Sequence, residues 1–109
     1  MNELKKAKYD ARAKIVKAMA HPSRLLIIDE LTRGTKCVYE FTELIGADTS
    51  TISKHLSVLK SAGLVRDEKK GLQVYYKLVI PCINEFFMCI DSVLVANADA
   101  QGKIARCCM

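Results

Sequence analysis

The sequence contains neither a recognisable secretion signal nor a hydrophobic run long enough to cross a bilayer. No positively charged segment precedes a short apolar one near the first residue. The most apolar stretch, residues 78–96, is interrupted by Pro81, Asn84, Glu85 and Asp91. These interruptions favour a buried or interface helix over a membrane span. We therefore expect a cytoplasmic chain that has no membrane partner.

Catalytic motifs are also absent. The chain has no glycine-rich phosphate loop and no nucleophile elbow, and its only histidines are His21 and His55. A thiol enzyme would have to pair a cysteine with His55, but cysteine–histidine pairs indicate catalysis only within their local motifs. We therefore expect a protein that is not an enzyme and that uses no organic cofactor.

The composition fits one small domain with reactive thiols. The 109 residues are half apolar, which is enough for a single core. A net charge of +5 and an isoelectric point near 9.0 are at the lower edge of what nucleic-acid-binding domains show. Five cysteines in a chain expected in a reducing compartment indicate metal or redox chemistry rather than structural disulfides.

Helical periodicity accounts for the first half of the chain. Residues 3–18 place apolar side chains on one face of a helix; these are Leu4, Ala7, Ala11, Ile15 and Ala18. Pro22 suits the first position of a second helix, which runs to about Arg33. A third helix is predicted from about Cys37 to Ile45, and Gly46 ends it.

A helix over about 49–61 follows, preceded by residues whose side chains cap helices. Asp48 and the hydroxyl residues after it supply N-cap oxygens. Ile52, Leu56 and Leu59 recur at i, i+4 and i+7, while the other face is polar and basic. Two helices joined by a short glycine-containing turn, the second with a polar outer face, predict a helix-turn-helix.

The second half predicts a β-hairpin and a long apolar helix. Residues 64–68 and 73–79 are expected to be strands, joined by a turn at Lys69-Lys70-Gly71. The last helix, over about 82–98, has an apolar stripe too wide for an unpartnered terminal helix, which indicates pairing with another copy of itself. The predicted fold is mainly α with a small β-hairpin, a winged helix-turn-helix.

This order of elements and several segments resemble the ArsR family of metalloregulatory repressors, also called ArsR/SmtB. The resemblance covers about residues 10–95. The matching segments are Ala20-His21-Pro22-Ser23-Arg24-Leu25, Ser50-Thr51-Ile52-Ser53-Lys54-His55-Leu56, Leu59-Lys60-Ser61-Ala62-Gly63-Leu64-Val65 and Gly71-Leu72-Gln73-Val74-Tyr75-Tyr76.

The resemblance implies a transcriptional repressor that binds double-stranded operator DNA as a homodimer and leaves it when an inducer binds. The dimer would form through the N- and C-terminal helices. Residues 1–109 would be one domain. Its parts would be a recognition helix at about 49–61, a wing at about 64–79, a dimerisation helix at about 82–98 and a cysteine-bearing tail at 99–109.

The same resemblance assigns residues to DNA binding. On the recognition helix the groove-facing side chains would be Ser50, Thr51, Ser53, Lys54 and His55. On the wing, the residues that contact the flanking backbone would be Lys69, Lys70 and Gln73. Hydroxyls and a helix N-terminus suit phosphate, and a lysine reaches either a base edge or the backbone. His55 has an equally good alternative as a capping or packing residue, because the neighbouring Leu56 is expected in the core.

Known sensing sites of the family are only partly represented. The zinc-type site of the last helix needs histidines, and that helix has none. The arsenic site of some relatives is a Cys-Val-Cys run on helix 3, which here is Cys37-Val38-Tyr39. The redox members use a cysteine on helix 2, and helix 2 of this chain contains no cysteine.

The remaining thiols are in and after the last helix. Cys82 and Cys89 are seven residues apart, about 10 Å along a helix, which is too far for one ion. Cys82 is expected to be a small buried hydrophobic residue, and the same alternative is open for Cys89. Cys107 and Cys108 are adjacent in the tail, where the alternative to a binding site is an incidental, disordered end.

Thiolate chemistry favours a trivalent metalloid as inducer. As(III) and Sb(III) bind three thiolates in a pyramid, and Cys107 and Cys108 supply two of them. The third is assigned to Cys89, with Cys37 as the substitute. Cys89 and Cys107 would be roughly 27 Å apart on a continuous helix, so a site between subunits requires less distortion.

Two alternatives remain open on the same scaffold. A cadmium or lead sensor would also use soft thiolates, but a tetrahedral site would require a fourth donor. A thiol redox or reactive-sulfur sensor would respond to an oxidant rather than to a metalloid.

Overall fold

The computed structural model describes residues 1–80 and 82–101, without the side chain of Gln101. Within these ranges the chain forms five helices and three strands. In order they are α1 Glu3–Met19, α2 Pro22–Leu31, β1 Lys36–Cys37, α3 Val38–Ile45, α4 Thr49–Ser61, β2 Val65–Lys70, β3 Gln73–Leu78 and α5 Ile83–Gln101. The strands form an antiparallel sheet in the order β1-β3-β2. This is a winged helix-turn-helix, as the sequence predicts.

Side chains placed just before the helices determine where three of them begin. The side chain of Asn2 accepts a hydrogen bond from the backbone of Lys5, and that of Asp48 accepts one from Thr51. His21 caps α2 in the same way, and Pro22 occupies the first turn. Gly46 ends α3 in the left-handed region at φ 77°, which glycine adopts without a Cβ clash.

The core lies where α2, α3 and α4 meet the base of the hairpin. Its fully buried side chains are Phe41, Ile27, Ile28, Ile52, Leu56, Leu59 and Val65. Tyr76 and Leu78 of β3 pack against this core from the sheet side. The sheet and the helix-turn-helix are thus joined by one continuous apolar cluster.

The hairpin differs from its predicted form at the turn. Lys69 and Lys70 were expected in the turn but belong to β2, where they pair with Val74 and Gln73. The turn is Gly71-Leu72, because Gly71 at φ 65° allows the chain to reverse within two residues. Leu72 at the tip is 98% exposed. The strands therefore extend further from the core than the sequence pattern indicated.

A short strand precedes α3 and corrects the expected start of that helix. Cys37 was expected as the first residue of the helix but instead belongs to β1, opposite Tyr75 of β3. It also precedes α3 as its N-cap residue, without a side-chain cap hydrogen bond. A two-residue strand is too short to show alternation, so periodicity could not reveal it.

The two long terminal helices remain largely exposed. On α1 only Ala18 and Met19 are buried, and Leu4 is 84% exposed. α5 continues to Gln101, three residues beyond its predicted end, since no glycine or proline occurs between 82 and 101. Residues 99–101, which were assigned to the tail, therefore belong to α5. No helix within the described ranges is both long enough and apolar enough to span a membrane.

Candidate nucleic-acid interface

α4 has one buried face and one outward polar face. Ile52, Leu56 and Leu59 are completely buried. The predicted groove residues on the helix are exposed, with the exception of His55; they are Ser50, Thr51, Ser53 and Lys54. Because the buried row is anchored in the core, the rotation of the helix about its axis is fixed. α4 therefore presents hydroxyl groups and one lysine outward.

The start of α4 is held by Asp48. Its carboxylate oxygen accepts a hydrogen bond of 2.8 Å from the backbone N–H of Thr51. This bond lowers the pKa of Asp48, and the nearby Lys54 ammonium lowers it further. The cap uses one of the free N–H groups of the first turn, and the remaining ones point away from the helix body. Such an end suits an anionic partner.

His55 lies on the inner side of α4, which corrects its expected place among the groove-facing residues. It is half buried, and its ring centroid is 4.5 Å from that of His21. Its Nδ1 is 3.4 Å from a guanidinium nitrogen of Arg24. Burial lowers the pKa of His55, as do His21 and the Arg24 charge. His55 is therefore a packing residue that joins α4 to the start of α2.

His21 and Arg24 form this joint, and the sequence pattern predicted no structural role for either residue. Nδ1 of His21 accepts the backbone N–H of Ser23 at 3.0 Å and so caps α2. Nε of Arg24 is buried without a hydrogen-bond partner among the described residues. The signal that could have predicted the capping role of His21 is the proline that follows it. A proline favours the first position of a helix, so the residue before it is the expected cap.

The wing is connected to α4 by an ion pair. Nζ of Lys60 is 2.9 Å from a carboxylate oxygen of Asp67 on β2. The hydrogen bond raises the pKa of Lys60 and lowers that of Asp67. Farther along the hairpin the predicted wing residues are exposed; they are Lys69, Lys70 and Gln73. The ammonium of Lys70 lies 5.9 Å from the centre of the Tyr75 ring.

The described thiols do not meet in one place. Cys37 is buried at the base of the sheet, whereas Cys82 and Cys89 are exposed. The exposure of Cys82 corrects its expected place in the core. Within the described ranges no three potential metal ligands of the His, Cys, Asp or Glu type lie together. Cys107 and Cys108, the predicted metal ligands of the tail, lie outside the described residues.

Comparison with known proteins identifies the family. The model of the bacterial regulatory protein, arsR family, matches residues 21–67. The HTH-type transcriptional regulator MJ1325 of Methanocaldococcus jannaschii is 34% identical over 87 residues, which are 79% of this chain and 98% of that protein. The chain belongs to the ArsR family of bacterial regulatory proteins.

Two further relatives bear on function and assembly. The HTH-type transcriptional repressor SmtB of Mycobacterium tuberculosis is 32% identical over 91 residues, which are 84% of this chain. The match spans 66% of the length of that repressor. The homodimeric winged helix-turn-helix DNA-binding domain of Mb0332 from Mycobacterium bovis has a TM-score of 0.74 and 29% identity, covering 94% of this chain and 93% of that one.

The His55 environment predicts a pH dependence of stability. The pKa of His55 is lower in the folded chain than its ordinary value of about 6.5. The unfolded chain therefore binds more protons, so stability falls as pH decreases through and below about 6.5. Denaturant unfolding of the wild type and of His55→Gln between pH 8 and 5 measures this contribution. The variant should lose stability less steeply with acidification; identical slopes would contradict the packing role.

Proposed function

We propose that this chain represses transcription by binding operator DNA as a homodimer, and that it releases the DNA when As(III) or Sb(III) binds cysteine thiolates. The observation that supports DNA binding best is the outward polar face of α4 beside a hairpin that bears lysines, in a chain of the ArsR family. A helix of this kind enters the major groove, and exposed lysines on a wing neutralise flanking phosphates.

Dimer formation is supported by apolar surface that a single chain leaves exposed. On α5, Phe86, Ile90 and Val93 are 41%, 36% and 59% exposed, and they share one face at 3.6 residues per turn. On α1, Leu4 and Ile15 are 84% and 43% exposed. Exposed apolar side chains in rows on two helices indicate an interface. The homodimeric Mb0332 domain supports the same assembly for this chain.

The position of Cys89 supports its assignment to a thiolate site between subunits. It is exposed and lies on the same face of α5 as Phe86 and Val93. A residue on this face would lie at the interface of a dimer formed through α5. The tail of one subunit would then supply the thiolates of Cys107 and Cys108 to the metalloid, and the partner subunit would supply that of Cys89. Cys37 is a poorer third ligand, because it is buried at the base of the sheet.

Soft trivalent metalloids match this set of donors. A bound As(III) or Sb(III) would supply strong bonds to three deprotonated sulfurs, and no imidazole is required. Cys89 would hold the group against α5, and the tail residues would close the site. Linking the two α5 helices would change the separation of the two α4 helices. Operator affinity falls when that separation no longer matches the two half-sites.

DNA binding should depend on α4 and the wing in different ways. Lys54→Ala should weaken operator binding, because Lys54 is the only lysine on the outward face of the first two turns of α4. Lys69→Ala should weaken binding to all sequences equally and reduce the slope of log K against log salt by about one. Fluorescence anisotropy with labelled duplexes measures both. Lys5→Ala, which removes the same charge from the first turn of α1, is the control. Unchanged affinity in both test variants would contradict the interface.

The dimer is tested on the two sides of α5. Val93→Asp should give monomers and abolish operator binding, because it introduces a charge on the proposed interface face. Met88→Asp is the matched control, since Met88 is 67% exposed and lies on another side of the helix. Phe87 is less suitable because it packs against the core. Analytical ultracentrifugation measures the outcome; a dimeric Val93→Asp variant would contradict the proposed interface.

The sensor is tested by release of DNA under full reduction. With a phosphine reductant, which does not compete as a thiol, arsenite should release the wild type from operator DNA. Cys107→Ser and Cys108→Ser should bind DNA normally and not be released, whereas Cys82→Ser should behave as the wild type. Loss of release in Cys37→Ser but not in Cys89→Ser would move the third ligand to Cys37. Release by an oxidant but not by arsenite would favour the redox alternative.

A further inference from the structure

A basic cleft lies between α1 and α4. Lys14 and Lys17 of α1 face Ser57 and Ser61 of α4 across a volume of about 410 Å3. Its floor includes Ala18, which is buried. Among the described residues, those that line this cleft include no carboxylate. All four polar side chains donate hydrogen bonds, and two of them carry a positive charge, so the cleft suits an anion.

The ion pairs found among the described residues do not involve the two lysines of this cleft. In the part of the chain that the structure describes, the lysine ion pairs join Lys6 to Asp10 and Lys60 to Asp67. Neither Lys14 nor Lys17 has an acidic partner within those same ranges. Both side chains are exposed. Their charge is therefore available to an external partner.

The cleft is continuous with the outward face of α4. At 3.6 residues per turn, Ser50, Ser57 and Ser61 lie within about 40° of one another around the helix axis. This row of serines begins at the proposed groove-facing end of α4 and continues to the edge of the cleft. A partner that lies along the outward face of α4 would also reach Lys14 and Lys17.

The cleft and the wing flank α4 on opposite sides. Val58, which lines the cleft, lies about 80° from Ser50 in one direction around α4. Lys60, which contacts Asp67 of the wing, lies about 80° from Ser50 in the other direction. The outward face of α4 is therefore bordered by free lysines on the α1 side and by Lys69 and Lys70 on the wing side.

This arrangement matches the geometry of a helix in the major groove. The groove is about 12 Å wide, so a helix within it has a phosphate backbone on each side. We propose that Lys14 and Lys17 bind the phosphate backbone of the operator on the side of α4 opposite the wing. The proposal rests on the proposed DNA-binding function. It adds α1 to the DNA interface and gives a second role to a helix whose exposed apolar side chains are assigned to the proposed dimer interface.

The test is the salt dependence of binding to DNA. Since phosphate contacts do not depend on sequence, a mixed-sequence duplex of about 30 base pairs is a sufficient probe and requires no known operator. The variant Lys14→Ala/Lys17→Ala should reduce the slope of log K against log salt by about 1.8, or 0.9 for each lost phosphate contact. Lys5→Ala/Arg12→Ala is the matched control, because these two charges lie about 160–180° around α1 from Lys14.

The outcomes separate this inference from the function on which it rests. The inference is supported if the slope of log K against log salt is smaller in the test variant than in the wild type and unchanged in the control. An unchanged slope in the test variant, or an equal fall in both, overturns it while leaving DNA binding by α4 and the wing intact. If the wild type shows no salt-dependent binding to DNA, the proposed function itself is overturned. Circular dichroism and sedimentation of both variants show that fold and assembly are retained; a variant that has lost either is replaced by Lys14→Gln/Lys17→Gln.

Discussion

The burial of one row of aliphatic residues on α4 determines which side chains of this helix face outward. Ile52, Leu56 and Leu59 are inaccessible to solvent and contribute to the same core as Phe41 and Val65. Burial of each such side chain stabilises the fold by about 1.5–3 kcal/mol relative to exposure. A rotation of the helix would expose this row, so the opposite face must point outward. The proposed DNA contacts therefore depend on residues that would not touch DNA.

The same core covers only a small part of the apolar surface of the two terminal helices. α1 contributes Ala18 and Met19 to it, and α5 contributes chiefly Ile83, with Phe87 packed at its edge. Most of the other apolar side chains of both helices are exposed in a single chain, although Ala98 is buried and Leu94 and Val95 are half buried. A second copy would cover this surface and would set the distance between the two α4 helices. Assembly and spacing of the DNA-binding elements would then depend on one interface, which also contains Cys89.

Sequence periodicity predicted the elements that have a long repeat. The bounds of α1 and α4 were expected to within a residue, because each has an apolar row of several turns and α4 has a capping residue before it. β1 was missed, since two residues have no period, and the turn was placed too early because its lysines were mistaken for turn residues. The inward orientation of His55 depends on contacts with His21 and Arg24, 34 and 31 positions away in the chain. No local pattern distinguishes it from the exposed Lys54.

The candidate site was predictable to a similar extent. Exposed hydroxyl and lysine residues on α4 follow from the spacing of its buried row, which fixes the polar face at the same time. The α1 cleft was not predictable, because six basic residues surround α1 in sequence and only packing selects Lys14 and Lys17 to face α4. When basic residues surround a helix evenly, only the helices that pack beside it determine which of these residues share one surface.

The attachment of the hairpin to α4 limits how the molecule can respond to a ligand. Two residues, Ala62 and Gly63, separate Ser61 at the end of α4 from Leu64 and Val65, which are 5% and 2% exposed within the core. Lys60 joins the same two elements from outside. The base of the hairpin and the helix therefore form one packed body. Any signal that reaches them must reorient this body as a whole, so the natural output is a change in the angle between two such bodies rather than a change within either.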